Sequence, residues 1–153
     1  SQESKIREAK LCKSLNIDLK FGIGGVQKIE SSSKLIKNHL SEVDNRPWGN
    51  FHIIAKGNGY QIKEINVLSG KRLSLQKHQH RSEYWQVISG KGLVYIESDL
   101  YELKPNESIF IPKGNLHRLE NNGDEILTII EIQIGNKILE DDIERLEDDF
   151  GRL

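Results

Sequence analysis

The sequence predicts an all-β fold, an antiparallel sandwich or barrel of the jelly-roll type, and three observations predict it. Short strand-like runs of about five residues follow one another from Asn45 onward. Turn residues punctuate them at Ser69-Gly70, Ser89-Gly90, Pro105-Asn106, Lys113-Gly114 and Asn122-Gly123-Asp124. Gln61–Val67 alternates, with Ile62, Glu64 and Asn66 on one face and Lys63, Ile65 and Val67 on the other, which is the period of a strand.

In chain order, residues 1–44 read as a short helical or irregular N-terminal arm and 45–153 as the main domain. Ile6, Ala9 and Cys12 give a weak helical period. The strand-like Leu-Lys-Phe-Gly-Ile-Gly-Gly-Val-Gln follows over 19–27. A second helix is expected from Ser31-Ser32-Ser33, whose hydroxyls suit capping, through Leu35, Ile36 and Leu40. Gly22-Ile23-Gly24-Gly25 lacks the dinucleotide fingerprint and the Lys-Ser/Thr ending of a phosphate loop, so it reads as a turn. In the main domain, strands are expected at Gln61–Val67, Leu73–Gln76, Tyr84–Ser89, Leu93–Glu97, Leu100–Leu103, Ser108–Ile111 and Ile126–Ile134. The acidic stretch 139–150 predicts a C-terminal amphipathic helix, with Ile143, Leu146 and Phe150 along its apolar side and its acids in solvent.

Composition narrows the function. The chain has 153 residues, 29% of them charged, and a net charge of -1 with no Lys/Arg block, which argues against nucleic acid as a partner. No apolar run approaches the roughly 18 residues of a membrane span. The single Cys12 allows no intrachain disulfide, which suggests a reducing, cytoplasmic setting. Such a domain is expected to act on a small molecule.

Three of the five histidines stand in a pattern. His78 and His80 are two apart, so a strand would turn both imidazoles to one face, and Glu83 follows. His117 arrives just after the Pro112-Lys-Gly114 turn. Three imidazoles and one carboxylate meeting inside a barrel would hold a divalent transition metal and leave coordination positions open. A lone His-x-His also arises by chance as ordinary imidazoles. His39 and His52 are assigned no role.

Gly70, His78-x-His80, Glu83-x6-Gly90 and Pro112-x-Gly114-x2-His117-x3-Asn121 together resemble the paired signature of the cupin superfamily. In it, two His and a Glu come from the first block and a His from the second. Two residues separate Glu83 from the pair, where the commonest form has three or four. Asn106 stands where a Gly usually opens the second block, a change that Asn tolerates in a left-handed turn. Several further blocks resemble, in order, the type II mannose-6-phosphate isomerase domain found in the C-terminal part of bifunctional mannose-1-phosphate guanylyltransferases. These are Arg46-Pro-Trp-Gly49, Arg72-Leu-Ser-Leu-Gln76, His78–Trp85, Val87-Ile-Ser-Gly90, His117-Arg-Leu-Glu-Asn121, Glu140-Asp-Asp-Ile143 and the tail to Arg152. No nucleotidyltransferase pattern precedes them, so that second activity is not carried over.

The resemblance implies a cupin fold, a double-stranded β-helix or jelly-roll barrel, and a metal-dependent aldose–ketose isomerisation. The substrate it implies is mannose 6-phosphate, converted to fructose 6-phosphate through a metal-stabilised enediolate. His78, His80, Glu83 and His117 are expected on the metal. Zinc is named first, with manganese, cobalt, nickel or iron as alternatives. Arg81 is expected to touch substrate if the chain turns after His80. Arg72, Lys113 and Arg118 are candidates for phosphate or hydroxyls, with plain solvated charges as the alternative for each. Gln76 shares the face of the histidines and could bond a hydroxyl. Glu83, Lys113 or a hydroxide on the metal could move the proton. Trp48 and Trp85 read as core or rim aromatics. The partner expected is a small sugar phosphate, with the chain itself a homodimer. Two other readings stay open: a non-catalytic sugar-phosphate-binding cupin, and a metal cupin oxygenase, which would want an apolar cavity.

Overall fold

Among the residues that the computed structural model describes, 15 and 43–152, eleven strands pair into two antiparallel sheets. In chain order they are β1 Asp44–Arg46, β2 Gly49–Gly57, β3 Tyr60–Val67, β4 Leu75–His78, β5 Arg81–Ser89, β6 Gly92–Ile96, β7 Asp99–Leu103, β8 Ser108–Ile111, β9 His117–Glu120, β10 Leu127–Gly135 and β11 Ile143–Glu147. One sheet runs β1-β2-β3-β10-β5-β8 and the other β11-β4-β9-β6-β7. The all-β jelly-roll expectation therefore holds. The helices expected in residues 1–44 lie outside the described residues.

Register explains where the interior changes character. Strands β3, β10 and β5 lie side by side, and every second residue of each points inward. Ile65, Ile129 and Val87 form one inward row, and Val67 pairs with Leu127 beyond it. The next rows are Lys63–Glu131–Trp85 and Gln61–Gln133–Glu83. One half of the interior is thus apolar and the other half polar, although all these side chains are buried. Trp48, Leu73, Val94, Leu103, Ile111 and Leu119 join the same hydrophobic cluster, with Ile111 as the register partner of Glu83 and Trp48 and Leu73 bordering the polar half. Burial of each such side chain contributes about 1.5–3 kcal/mol, so this half holds the sheets together. The polar half must be satisfied by its own hydrogen bonds.

The turn chemistry follows the sequence closely. Asn106 has φ 72, the left-handed value its place in the turn requires, and Gly90 has φ 77. A side chain on Gly90 would also meet the Ile126 carbonyl at 2.8 Å. Asn121, fully buried, donates to the Val67 and Glu125 carbonyls and accepts from Gly123, closing the loop between β9 and β10.

Two expectations need correction. The C-terminal helix is not there: a 3-10 turn, Glu140–Asp142, leads into β11. β11 pairs with β4, with a register shift between Arg145 and Glu147, so its backbone groups bond the open edge of that sheet. Leu146 is left exposed, so the apolar residues of 139–150 share no buried helical face. Second, β2 escaped the sequence reading because a register shift between Ile53 and Ala55 breaks its alternation.

Candidate metal centre

The polar half of the interior gathers the titratable groups. His78 ends β4, His117 opens β9, and Glu83 lies on β5, so the two sheets each contribute. One ligand atom from each of these three buried residues falls within 4.8 Å of the others. His78 Nε2 is 3.0 Å from Glu83 Oε1, and His117 Nε2 is 3.5 Å from Glu83 Oε2. Atoms bound about 2.1 Å from one ion at right or tetrahedral angles stand roughly 3.0–3.4 Å apart, close to each of the two imidazole–carboxylate spacings.

The hydrogen bonds argue for the same charge. His78 Nδ1 lies 3.3 Å from the Asp142 carbonyl and His117 Nδ1 2.8 Å from that of Asn115. A neutral ring so placed keeps its proton on Nδ1 and turns Nε2 outward as a lone pair. Burial opposes charge on Glu83, but protons on the facing nitrogens of His117 and His78, by hydrogen bonding and by charge, outweigh it and hold the carboxyl well below its usual range; with both rings neutral, that positive charge must come from elsewhere. Lone pairs beside an ionised carboxylate repel unless positive charge stands among them. Arg81 Nη2 answers His78 Nε2 at 3.3 Å, whereas His117 Nε2 is buried with no hydrogen-bond partner. That orphaned nitrogen is what a cation would satisfy.

Further side chains hold this group in place. Arg81 Nε donates to Glu83 Oε1 at 3.2 Å, and its Nη1 to the Leu139 carbonyl at 3.0 Å. Trp85 Nε1 donates to both Glu83 and Glu131, at 3.1 Å each. Gln133 Nε2 does the same at 3.0 and 2.9 Å. Burial, with the charge of Glu83 beside it, pushes the Glu131 carboxyl up to about 8 against the pull of Lys63.

His80 does not join. The Asp142 carboxylate accepts the backbone N–H groups of Gln79 and His80, at 3.1 and 3.3 Å, and the chain leaves the strand at His78. Strand parity then no longer links the two rings, and His80 is exposed. The buried pair two residues apart is Gln76 and His78, and Gln76 is the register partner of His117. Counted from His78, four residues precede Glu83, so the short spacing disappears. The same turn brings Arg81 inward at the start of β5, as its expected role required.

The other cations stay away. Arg72 is clamped by Asp149 through Nε and Nη2, at 2.8 Å each. Arg118 is buried but bonds Glu147 at 2.9 Å, and Lys113 is exposed on its turn. None of the three lines the cavity beside the cluster, whereas Gln76, Arg81, Glu83, Lys63, Glu131 and Gln133 do. The sequence reading missed Lys63, Glu131 and Gln133. Their signal was present: each shares a strand face with apolar residues that turn out to be core.

Residues 32–148 match the family described as "Mannose-6-phosphate isomerase C-terminal". The chain is 48% identical over 107 residues to the alginate biosynthesis protein AlgA of Pseudomonas aeruginosa, covering 70% of this chain and 22% of that protein. It is 41% identical over 128 residues to the mannose-1-phosphate guanylyltransferase ManC of Salmonella typhimurium, covering 84% and 26%. The chain thus spans about a quarter of the length of these relatives. Among solved structures, the capsular polysaccharide assembling protein CapF of Staphylococcus aureus superposes with a TM-score of 0.62 at 22% identity, covering 71% of this chain and 33% of that one. A cupin-superfamily sugar phosphate isomerase of Silicibacter pomeroyi gives 0.55 at 14%, covering 62% and 71%. At such identities these two structures speak for the cupin fold alone.

Proposed function

This chain belongs to the mannose-6-phosphate isomerase C-terminal family, and on that premise we propose that it interconverts mannose 6-phosphate and fructose 6-phosphate with the help of a divalent metal. The observation that carries the reading is the orphaned His117 Nε2, buried beside His78 and an ionised Glu83. Two imidazoles and a carboxylate are a donor set of catalytic zinc sites, so zinc is named first. His78, Glu83 and His117 would hold the ion, and Gln76 stands on the face that the sequence reading had given to His80. Bound there, the ion would act as a Lewis acid on the sugar's carbonyl oxygen.

The chain's own groups supply the rest. Arg81 reaches both Glu83 and His78, so it steadies the cluster and presents positive charge to a substrate oxygen. Glu83 is engaged on both oxygens and serves to hold rather than to move a proton. Glu131 is the buried carboxyl of the cavity that neither imidazole nor guanidinium binds, and it takes the place of Lys113 beside the C1–C2 proton. The charged lining also speaks against an oxygenase, which would want an apolar chamber.

A homodimer accords with an apolar row across the outer face of the six-stranded sheet, Ile62–Ile132–Tyr84–Phe110, in register on four strands; light scattering reads the mass. The cytoplasmic setting suggested by the lone Cys12 belongs to the same reading.

The test is coupled-enzyme turnover of mannose 6-phosphate by the purified chain, with and without chelator. Turnover that vanishes on chelation and returns with metal is the expected result. Binding of the sugar phosphate without turnover would replace the isomerase by a binding protein.

A further inference from the structure

The arginines and lysine first expected at a phosphate lie elsewhere, yet the cavity lining holds three other cations, Arg46, Lys63 and Arg152. Two of them come from motifs with no other task so far: Arg46 opens Arg46-Pro-Trp-Gly49, and Arg152 ends the acidic tail.

Lys63 is the unusual one. Only 7% of it is exposed, and its ammonium donates no hydrogen bond among the described residues. Its neighbouring carboxylates, Glu140 at 3.6 Å and Glu131 at 3.9 Å, are beyond hydrogen-bonding distance. Phe51 holds it next to Arg46, because Nζ lies 4.8 Å and the guanidinium carbon 5.6 Å from the centroid of the same ring. Two like charges around one ring repel unless an anion joins them. The arginines are set in place from behind: Asp44 takes Arg46 Nη2, and Asp148 takes Arg152 Nε and Nη2. In both, Nη1 makes no bond among the described residues. Glu140, more than half exposed, is the anion now nearest Lys63.

We infer that Arg46, Lys63 and Arg152 form a subsite for the phosphate group of a sugar phosphate whose other end lies at His78, Glu83 and His117. β10 lies between Lys63 on β3 and Glu83 on β5, and contacts of 3.9, 2.9 and 3.0 Å run from Lys63 Nζ through Glu131 and Gln133 to Glu83 Oε1, so the two ends stand no more than about 10 Å apart. An extended six-carbon phosphate ester has that order of length. Guanidinium forks and an ammonium match the three oxygens of a phosphate. The identity of the sugar rests on the isomerase reading; the subsite needs only a phosphate ester.

Calorimetry with metal-loaded protein tests it, using mannose 6-phosphate and inorganic phosphate as separate probes. Arg46→Gln and Lys63→Gln are each expected to weaken both probes at least tenfold while leaving metal content unchanged. Arg46 is one-third exposed, so its variant carries the test even if Lys63→Gln folds poorly. Wild-type affinity for both probes in a folded Arg46→Gln and in Arg152→Gln would overturn the subsite, even where turnover persists. Loss of phosphate affinity in these variants, in a protein that never isomerises the sugar, would instead retire the isomerase and keep the subsite.

Discussion

Glu131 carries a cost that depends on pH. Its carboxyl rises from an ordinary 4.5 to about 8, first because it is buried and next because Glu83 is ionised beside it. The folded chain therefore keeps a proton that the unfolded chain releases between those values, and the native state binds more protons across that window. Stability must then fall as pH rises from about 5 to 8, and level off above it, by an amount on the order of a few kcal/mol. Glu83 acts with the opposite sign. Its depressed carboxyl stabilises the fold above the ordinary value, and that contribution is lost only in acid, below this window. In metal-free protein, urea midpoints of Glu131→Gln are expected to lack the downward slope between pH 5 and 8; parallel profiles would reject it. Residue identities alone showed part of this chemistry. His78, Glu83 and His117 were legible because imidazoles and a carboxylate beside turn residues stand out. His80 was not, because the device that ends β4 is a carboxylate 62 residues away in the chain, Asp142. Gln76 was seen only as a hydroxyl binder because an amide carries no charge to mark it.

The 3-10 turn Glu140–Asp142 is the element on which the cluster leans. Asp142 is buried, accepts two backbone N–H groups at the end of β4, and offers its own carbonyl to His78 Nδ1. Asp142→Ala takes the charged partner from those two part-buried donors and from the buried Arg81 guanidinium, 3.7 Å from Asp142 Oδ2, at a cost of about 1.5–3 kcal/mol. The backbone carbonyl that faces His78 Nδ1 survives the substitution, but the turn presenting it loses its hold on the end of β4, and displacement of such an orienting contact lowers metal affinity by about 10- to 100-fold. Denaturation midpoints and a metal titration read the two effects separately; an unchanged metal affinity would mean that the turn is structural only. A periodicity argument could not find this element. Ile143, Leu146 and Phe150 have helical spacing, but β4 has an unpaired edge, and backbone pairing with it outweighs local preference. β10 shows a second limit. Leu127 and Ile129 face inward while Ile130, Ile132 and Ile134 lie on the other face, so both of its faces read as apolar and only its partners decide which is buried.

At the scale of the whole molecule, the fold class was legible because turn residues and strand period repeat along the chain, whereas the joining of the sheets was not. His78 and His117 belong to the five-stranded sheet and Glu83 to the six-stranded one. The apolar half of the interior closes the two sheets at one end; at the other they meet through charged and polar groups that stabilise little once desolvation is counted. A cation at the cluster would tie the sheets together at that weaker end, so its binding must appear as global stability. At a free metal concentration 100-fold above the dissociation constant, the gain is about 2.7 kcal/mol. For a unit of this size that raises the melting temperature by about 10 °C. Zinc or manganese added to chelator-stripped protein is therefore expected to shift the melting curve upward without sugar present. His117→Ala should lose the shift, because it removes one of the two ligands from the five-stranded sheet. A wild-type melting curve indifferent to every divalent metal tried would deny that these three residues share an ion, whatever activity the protein displays.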